Sequence, residues 1–319
     1  MITHFNIHNV DLACESTDSQ LLNLVIQKLD AYLVKRENPP QIRLLITKEK
    51  LKISNIKKNF SWIRSRPLWG DLDENQLRLT DGASTSITHY NDKVIEMFLD
   101  HETLTDRYFF MRTFLLIPIL ELLRCFGFIY VHGALLENNN NRSILILGEG
   151  GTGKSTLSAS LMLKGWKIVA DDNILLKSND RVCIGYPFEQ EISLSQEVLN
   201  QMQLEHRGHL EKEKWRIPMK MLPDQIKAPF CTPKEIYVLK KNGVEGFSLL
   251  EKSHVFHLLI QENPLLLVQP FLAQLHIQTL EQLLKRATAY NCCLSRETPL
   301  DLGKIYKSFM SLTSGSFER

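Results

Sequence analysis

The sequence predicts an α/β protein: a mixed-sheet domain built around a phosphate-binding loop, preceded by an α+β amino-terminal domain. Three observations predict it. Gly148-Glu149-Gly150-Gly151-Thr152-Gly153-Lys154-Ser155 is a complete G-x-x-x-x-G-K-[ST] string. The apolar run Ser143–Leu147 leads into that string, and a helical pattern with Leu157, Leu161 and Met162 on one side leads out of it to Gly165. A second short apolar run, Lys167–Ala170, follows the helix and ends in Asp171-Asp172.

Taken in order, the first hundred residues alternate candidate strands with one amphipathic helix. Residues 21–34 place Leu21, Leu22, Val25, Ile26, Leu29 and Leu33 on one face, with residues 16–19 supplying cap candidates. Residues 41–47 read as a strand, as do short runs at 77–79 and 93–99, with Asp81-Gly82 as a turn signal. No catalytic cluster stands out there, so residues 1–103 are expected to be an accessory or substrate-recognition domain. The second domain is expected over residues 104–319. It opens with a long helical pattern over 104–124, kinked at Pro118. Residues 128–136 and Ser143–Leu147, joined by a polar Asn-rich tract, read as an antiparallel hairpin. The helix between Ser143–Leu147 and Lys167–Ala170 implies a right-handed parallel crossover, which sets the two aspartates beside the loop.

Composition narrows the function classes. The 319 residues carry 38 Lys+Arg against 36 Asp+Glu, a net charge of +2, so there is no electrostatic footprint for nucleic acid. No basic block points to a membrane surface. Residues 108–131 are the most hydrophobic stretch, but Arg112, Pro118, Glu121 and Arg124 interrupt it, which argues against a membrane span. The amino terminus lacks the basic and apolar regions of a signal peptide. None of the six cysteines forms a C-x-x-C pair, and Cys292-Cys293 reads as two ordinary thiols because a vicinal disulfide is strained. A cytoplasmic protein is expected.

The chemistry follows from the loop. Gly148, Gly150, Gly151, Thr152, Gly153, Lys154, Ser155 and Thr156 form the nucleotide-binding set: glycines turn N–H groups onto the phosphates, Lys154 faces the β/γ oxygens, and Ser155 can ligate Mg²⁺. The following helix points its amino terminus at the same place. ATP and Mg²⁺ are therefore the expected cofactors. Of Asp171 and Asp172, one carboxylate can hold the metal and the other can accept a proton from an attacking hydroxyl. His132, expected on the strand beside the loop strand, could reach the first aspartate or a phosphate oxygen.

The order His132-Gly133, hairpin, phosphate loop, helix, Gly165 and Val169-Ala170-Asp171-Asp172 resembles the catalytic domain of the HPr kinase/phosphorylase family, a fold similar to phosphoenolpyruvate carboxykinase. The match spans about residues 130–175 by motif and context. Weaker similarity runs through residues 214–218 and 236–239, and there it looks more like the HPr-kinase-related proteins that tailor ribosomally made peptides, the lasso-peptide kinases among them. The resemblance implies γ-phosphoryl transfer to a serine hydroxyl of a peptide or small protein. It assigns Lys154 to phosphate, Ser155 and Asp172 to metal, Asp171 to the general base, and His132 to a place beside that base. Arg207-Gly208-His209-Leu210 only echoes the family's Arg-Gly-Leu-Gly signature, in a charged stretch (205–214) that reads as an exposed helix or loop. HPr as substrate, phosphorylase activity and hexameric assembly are thus in question, while a homo-oligomer stays open. Glu189 and Glu191 are both candidates for a further metal-binding acid, and Lys214 and Arg216 for phosphate or an acidic substrate. A small-molecule hydroxyl kinase and a slowly hydrolysing regulatory module are the other readings.

Overall fold

The computed structural model describes residues 1–35, 39–48, 60–63, 67–179, 181–188, 190–204, 208–211, 213–241, 243, 245–261, 270–294 and 300–314. Glu189 and Arg207 lie outside the described residues. The architecture is mixed α/β with several mixed sheets. Compactness divides the chain into two units: Met1–Phe128 with Leu267–Ala273, and Ile129–Leu266 with Gln274–Arg319. The helical run over 104–124, grouped by the sequence reading with the second half, falls in the first unit.

The first unit is a nine-stranded sheet. Its strands Val10–Ser16, Ile42–Thr47 and Val94–Phe98 run parallel, and antiparallel hairpins extend it through Thr85–His89 and Gln76–Thr80. The expected helix spans only Ser19–Lys28, capped by the Asp18 carboxylate on the N–H groups of Gln20 and Leu21, and buries Leu21, Leu22 and Val25. A 3-10 turn, Asp30–Tyr32, then replaces the helix drawn to residue 34. The pattern over 104–124 is likewise not one helix. A π-helical stretch, Phe110–Leu116, precedes Ile117–Arg124, whose first turn holds Pro118. Proline has no N–H to give, and the wide turns end where it stands. The charges of this segment are buried together: Tyr90 Oη donates to Glu121 at 2.9 Å and Arg124 Nη1 donates to the same carboxylate at 2.6 Å. Among the described residues no helix is long and apolar enough to cross a membrane.

The second unit centres on a six-stranded sheet in the order Lys167–Ala170, Ala134–Glu137, Ser143–Leu147, Glu235–Leu239, Thr288–Cys293, Gly246–Leu249. Ala134–Glu137 and Ser143–Leu147 form the expected antiparallel pair, with Leu135 opposite Leu145. Ser143–Leu147 is buried throughout, because both sheet faces are covered by apolar clusters. The helix Lys154–Met162 lies on one of those faces through Leu157 and Leu161.

Lys167–Ala170 runs parallel to the loop strand, as a crossover requires, with Ala134–Glu137 between them and antiparallel to both. One expectation is corrected here: the run over 128–136 is not one strand, because Gly133 breaks it. Phe128–His132 joins a separate sheet with Asn173–Ser178 and Cys183–Pro187. A Cβ at Gly133 would lie 2.6 Å from the Ile146 carbonyl oxygen, so only glycine allows the chain to pass the loop strand at that closeness.

Candidate active site

Strand directions bring four elements to one sheet edge. Ser143–Leu147, Lys167–Ala170 and Glu235–Leu239 all end there, and Ala134–Glu137 begins there. The phosphate loop, Asp171-Asp172 and His132-Gly133 therefore emerge on the same side of the sheet, with His132-Gly133 between the other two in strand order. About 10 Å separates strands two places apart, a span that a triphosphate and its acceptor can bridge.

The loop has the backbone its sequence requires. Gly148, Gly151 and Gly153 sit at φ +142°, +78° and +99°. A Cβ at Gly150, Gly151 or Gly153 would meet nothing within 4 Å, so these positions border open space. Gly148 is different: a Cβ there would come within 2.8 Å of the Leu239 carbonyl oxygen, so the loop's first residue rests on the neighbouring strand. Thr152 Oγ1 donates to the Glu149 carbonyl at 2.8 Å and tightens the turn. Lys154 is buried, and its ammonium donates to the carbonyls of Gly148 at 2.6 Å and Glu149 at 3.2 Å. That holds a cation over the concave side of the loop. Ser155 and Thr156, in the first helical turn, are half-buried.

The aspartates occupy a tight turn. Asn173 N–H donates to the Asp171 carbonyl at 2.8 Å, and Asp172 between them has φ +66°, a γ-turn pattern. This left-handed backbone is costly for a non-glycine residue, and neighbouring groups hold it. The Asp172 carbonyl accepts from His132 Nδ1 at 2.9 Å and from Gly133 N–H at 3.3 Å. A carbonyl only accepts, so Nδ1 carries the proton and Nε2 is the ring nitrogen left to face other groups. His132 thus sits at the junction of two strands and contacts Asp172 through its backbone.

A three-stranded ribbon that sequence reasoning missed holds the carboxylates. Its strands are Glu191–Leu194, Lys214–Pro218 and His209–Glu211, so the expected loop or helix over 205–214 is in its described part a β-hairpin. Ser193 N–H donates to Asp171 Oδ2 at 2.8 Å. Arg216 Nη1 reaches Asp172 Oδ2 at 3.0 Å, while its Nε pairs with Glu211 at 3.0 Å. The two acids are driven apart electrostatically. Burial, then the Asp172 charge, push the Asp171 carboxyl up to about 7. Burial also pushes Asp172 upward, but Arg216, His132 and Lys214 outweigh it and hold that carboxyl below its usual range. One acid is tuned to exchange a proton near neutrality, and its neighbour stays ionised.

The donor set for a metal is sparse. Among the described residues no group of three or more His, Cys, Asp and Glu side chains is placed to hold an ion. Glu191 shares a ribbon face with Ser193 without completing such a group. Ser155 and Asp172 would supply the one or two protein oxygens that suffice in a phosphate-loop Mg²⁺ site, where phosphates and water fill the rest. Lys214, exposed, and Arg216, ion-paired with Asp172, act electrostatically on the two carboxylates.

No family model matches this chain and no curated protein matches it in sequence. Among solved structures it is similar to the HPr(Ser) kinase/phosphatase from Coxiella burnetii, with 15% identity and a TM-score of 0.33, over 60% of this chain and 99% of that one. A likeness that slight carries no argument about this chain, whose reading rests on its own site residues.

Proposed function

We propose that this chain is a Mg²⁺- and ATP-dependent kinase that transfers the γ-phosphoryl group to a serine-type hydroxyl on a peptide or small protein. The observation that carries the reading is the split aspartate pair at the sheet edge from which the phosphate loop emerges. A buried carboxyl raised to about 7, beside an ionised one, is the arrangement a general base for a hydroxyl requires.

In this reading the loop N–H groups, the helix amino terminus and Lys154 hold the triphosphate and neutralise charge as it moves toward the leaving oxygen. Ser155 and Asp172 would hold Mg²⁺, which when bound screens the phosphate oxygens. Asp171 accepts the hydroxyl proton as the acceptor oxygen bonds to the γ-phosphorus and the bond to the departing ADP breaks. Ser193 and Arg216 fix where the two carboxylates point. The His132-Gly133 link keeps the turn closed. The motif resemblance to peptide-tailoring kinases favours a ribosomally made peptide as acceptor.

Asp171→Asn tests the assignment. It should abolish phosphoryl transfer and leave ATP affinity within about twofold, because the base is lost while the cradle remains. Transfer at the wild-type rate by Asp171→Asn would remove Asp171 from the chemistry.

A further inference from the structure

The aspartates fix the direction in which a nucleotide lies. In strand order they stand to one side of the loop strand, beyond Ala134–Glu137. With the γ-phosphate toward Asp171, the nucleoside leaves the loop on the other side, across the carboxyl ends of Glu235–Leu239 and Thr288–Cys293. These strands run parallel to Ser143–Leu147 and end on the same edge, where ligands of open α/β sheets bind. Gly148 rests on Leu239, and Leu239 pairs with Cys292 on the next strand.

One step back from that end, Asn291 pairs with Val238. Its neighbours on the same side are the buried Val238 and Ala289, Cys293 two residues on, and the exposed Ser248 directly opposite on Gly246–Leu249. Asn291 Oδ1 is buried and has no hydrogen-bond partner among the described residues. An amide oxygen shut from water and left unpaired is costly, so its retention at a ligand-binding edge calls for a partner. Strands two places apart are about 10 Å from each other, which suits the distance between the phosphates and the base of a nucleoside triphosphate.

We propose that Asn291 reads the nucleobase, its amide oxygen accepting from the exocyclic amino group of adenine. The inference rests on the nucleotide-binding part of the kinase reading. An acceptor at this position opposes the 6-oxo group of guanine, so Asn291 makes the site selective for ATP over GTP.

The test is calorimetric titration of the full chain, with Mg²⁺, using ATP, GTP and inorganic tripolyphosphate, which fills the loop and carries no base. Wild type should prefer ATP to GTP by about tenfold or more. Asn291→Leu, which keeps the volume, and Asn291→Ala should each lose about tenfold in ATP affinity and most of that preference. Both should bind tripolyphosphate as wild type does, which also reports an intact fold. Lys154→Ala should weaken all three ligands. If ATP binding depends on Lys154 while both Asn291 variants keep full ATP affinity and preference, the Asn291 assignment is overturned. If wild type binds neither ATP nor tripolyphosphate, the nucleotide reading itself fails.

Discussion

Ser193 and Arg216 stand opposite each other across an antiparallel strand pair, and each holds one of two adjacent aspartates. The Ser193 N–H takes Asp171 and the Arg216 guanidinium takes Asp172. Residues directly opposite on a ribbon share one face and move as a unit. A single ribbon register therefore sets both carboxylates, and a backbone donor and a cation treat them differently.

Arg216 should matter for stability as well as for activity. Its side chain is only 14% exposed and lies between Asp172 and Glu211. Arg216→Ala leaves two carboxylates facing each other and should cost about 2 kcal/mol in denaturant unfolding. Arg216→Lys should recover part of this, since it restores the charge without the two-pronged geometry.

Asp171 makes stability depend on pH. Its carboxyl titrates at about 7 in the folded chain against an ordinary value of 3.8, so the folded state holds the proton more tightly. The sign follows from linkage: stability associated with this group is full below about pH 4 and is lost as pH rises toward 7. Asp171→Asn keeps the acceptor for Ser193 N–H and removes the charge. In the absence of metal and nucleotide, its melting temperature should match wild type near pH 4 and exceed it above pH 7. A constant difference across that range would contradict the burial argument.

Gly133→Ala is expected to damage the fold locally. The added methyl would sit 2.6 Å from the Ile146 carbonyl oxygen, and a backbone oxygen in a paired strand has little room to retreat. A loss of about 1–3 kcal/mol, with reduced hydrogen-exchange protection in Ala134–Glu137, is the expected outcome. Gly150→Ala meets open space and should leave stability near wild type.

At the far edge of the same sheet, Arg142 bonds Glu235 through two nitrogens at 2.8 Å each and reaches Tyr237 Oη at 2.9 Å. Its guanidinium also lies 5.8 Å from the Trp166 ring centre and 5.9 Å from that of Phe309. Arg142→Ala should destabilise the unit by about 3 kcal/mol, leaving the half-buried Glu235 carboxylate with the Tyr237 hydroxyl and no cation, while ATP affinity stays unchanged.

The legible part of this protein was local. The strand, glycine loop and helix around residues 143–162 follow from periodicity and one motif, and the structure forms them where expected. Asp171-Asp172 and His132 are short-range signals too, and they reach the same sheet edge as the loop. What sequence could not give was non-local. Nothing in residues 134–137 says that they insert between the loop strand and Lys167–Ala170, because strand order is decided by long-range pairing. Ser193 holds Asp171 through its backbone, so its side chain left no signal. Arg216 read as one more basic residue until the ribbon placed it against Asp172. Glu121 and Arg124, which argued against a membrane span, turned out to pair with each other in the core, with Tyr90 donating to the same carboxylate.

Phosphoryl transfer, read by mass, tests the central claim most directly. The chain would be incubated with ATP, Mg²⁺ and a panel holding HPr, serine-bearing peptides and small hydroxyl compounds, beside Lys154→Ala and Asp171→Asn. The account predicts one added phosphate on a serine of a peptide or small protein, present with wild type and absent with both variants. Tight, Lys154-dependent ATP binding with no phosphate on any acceptor would contradict it and make the chain a nucleotide-regulated binding module.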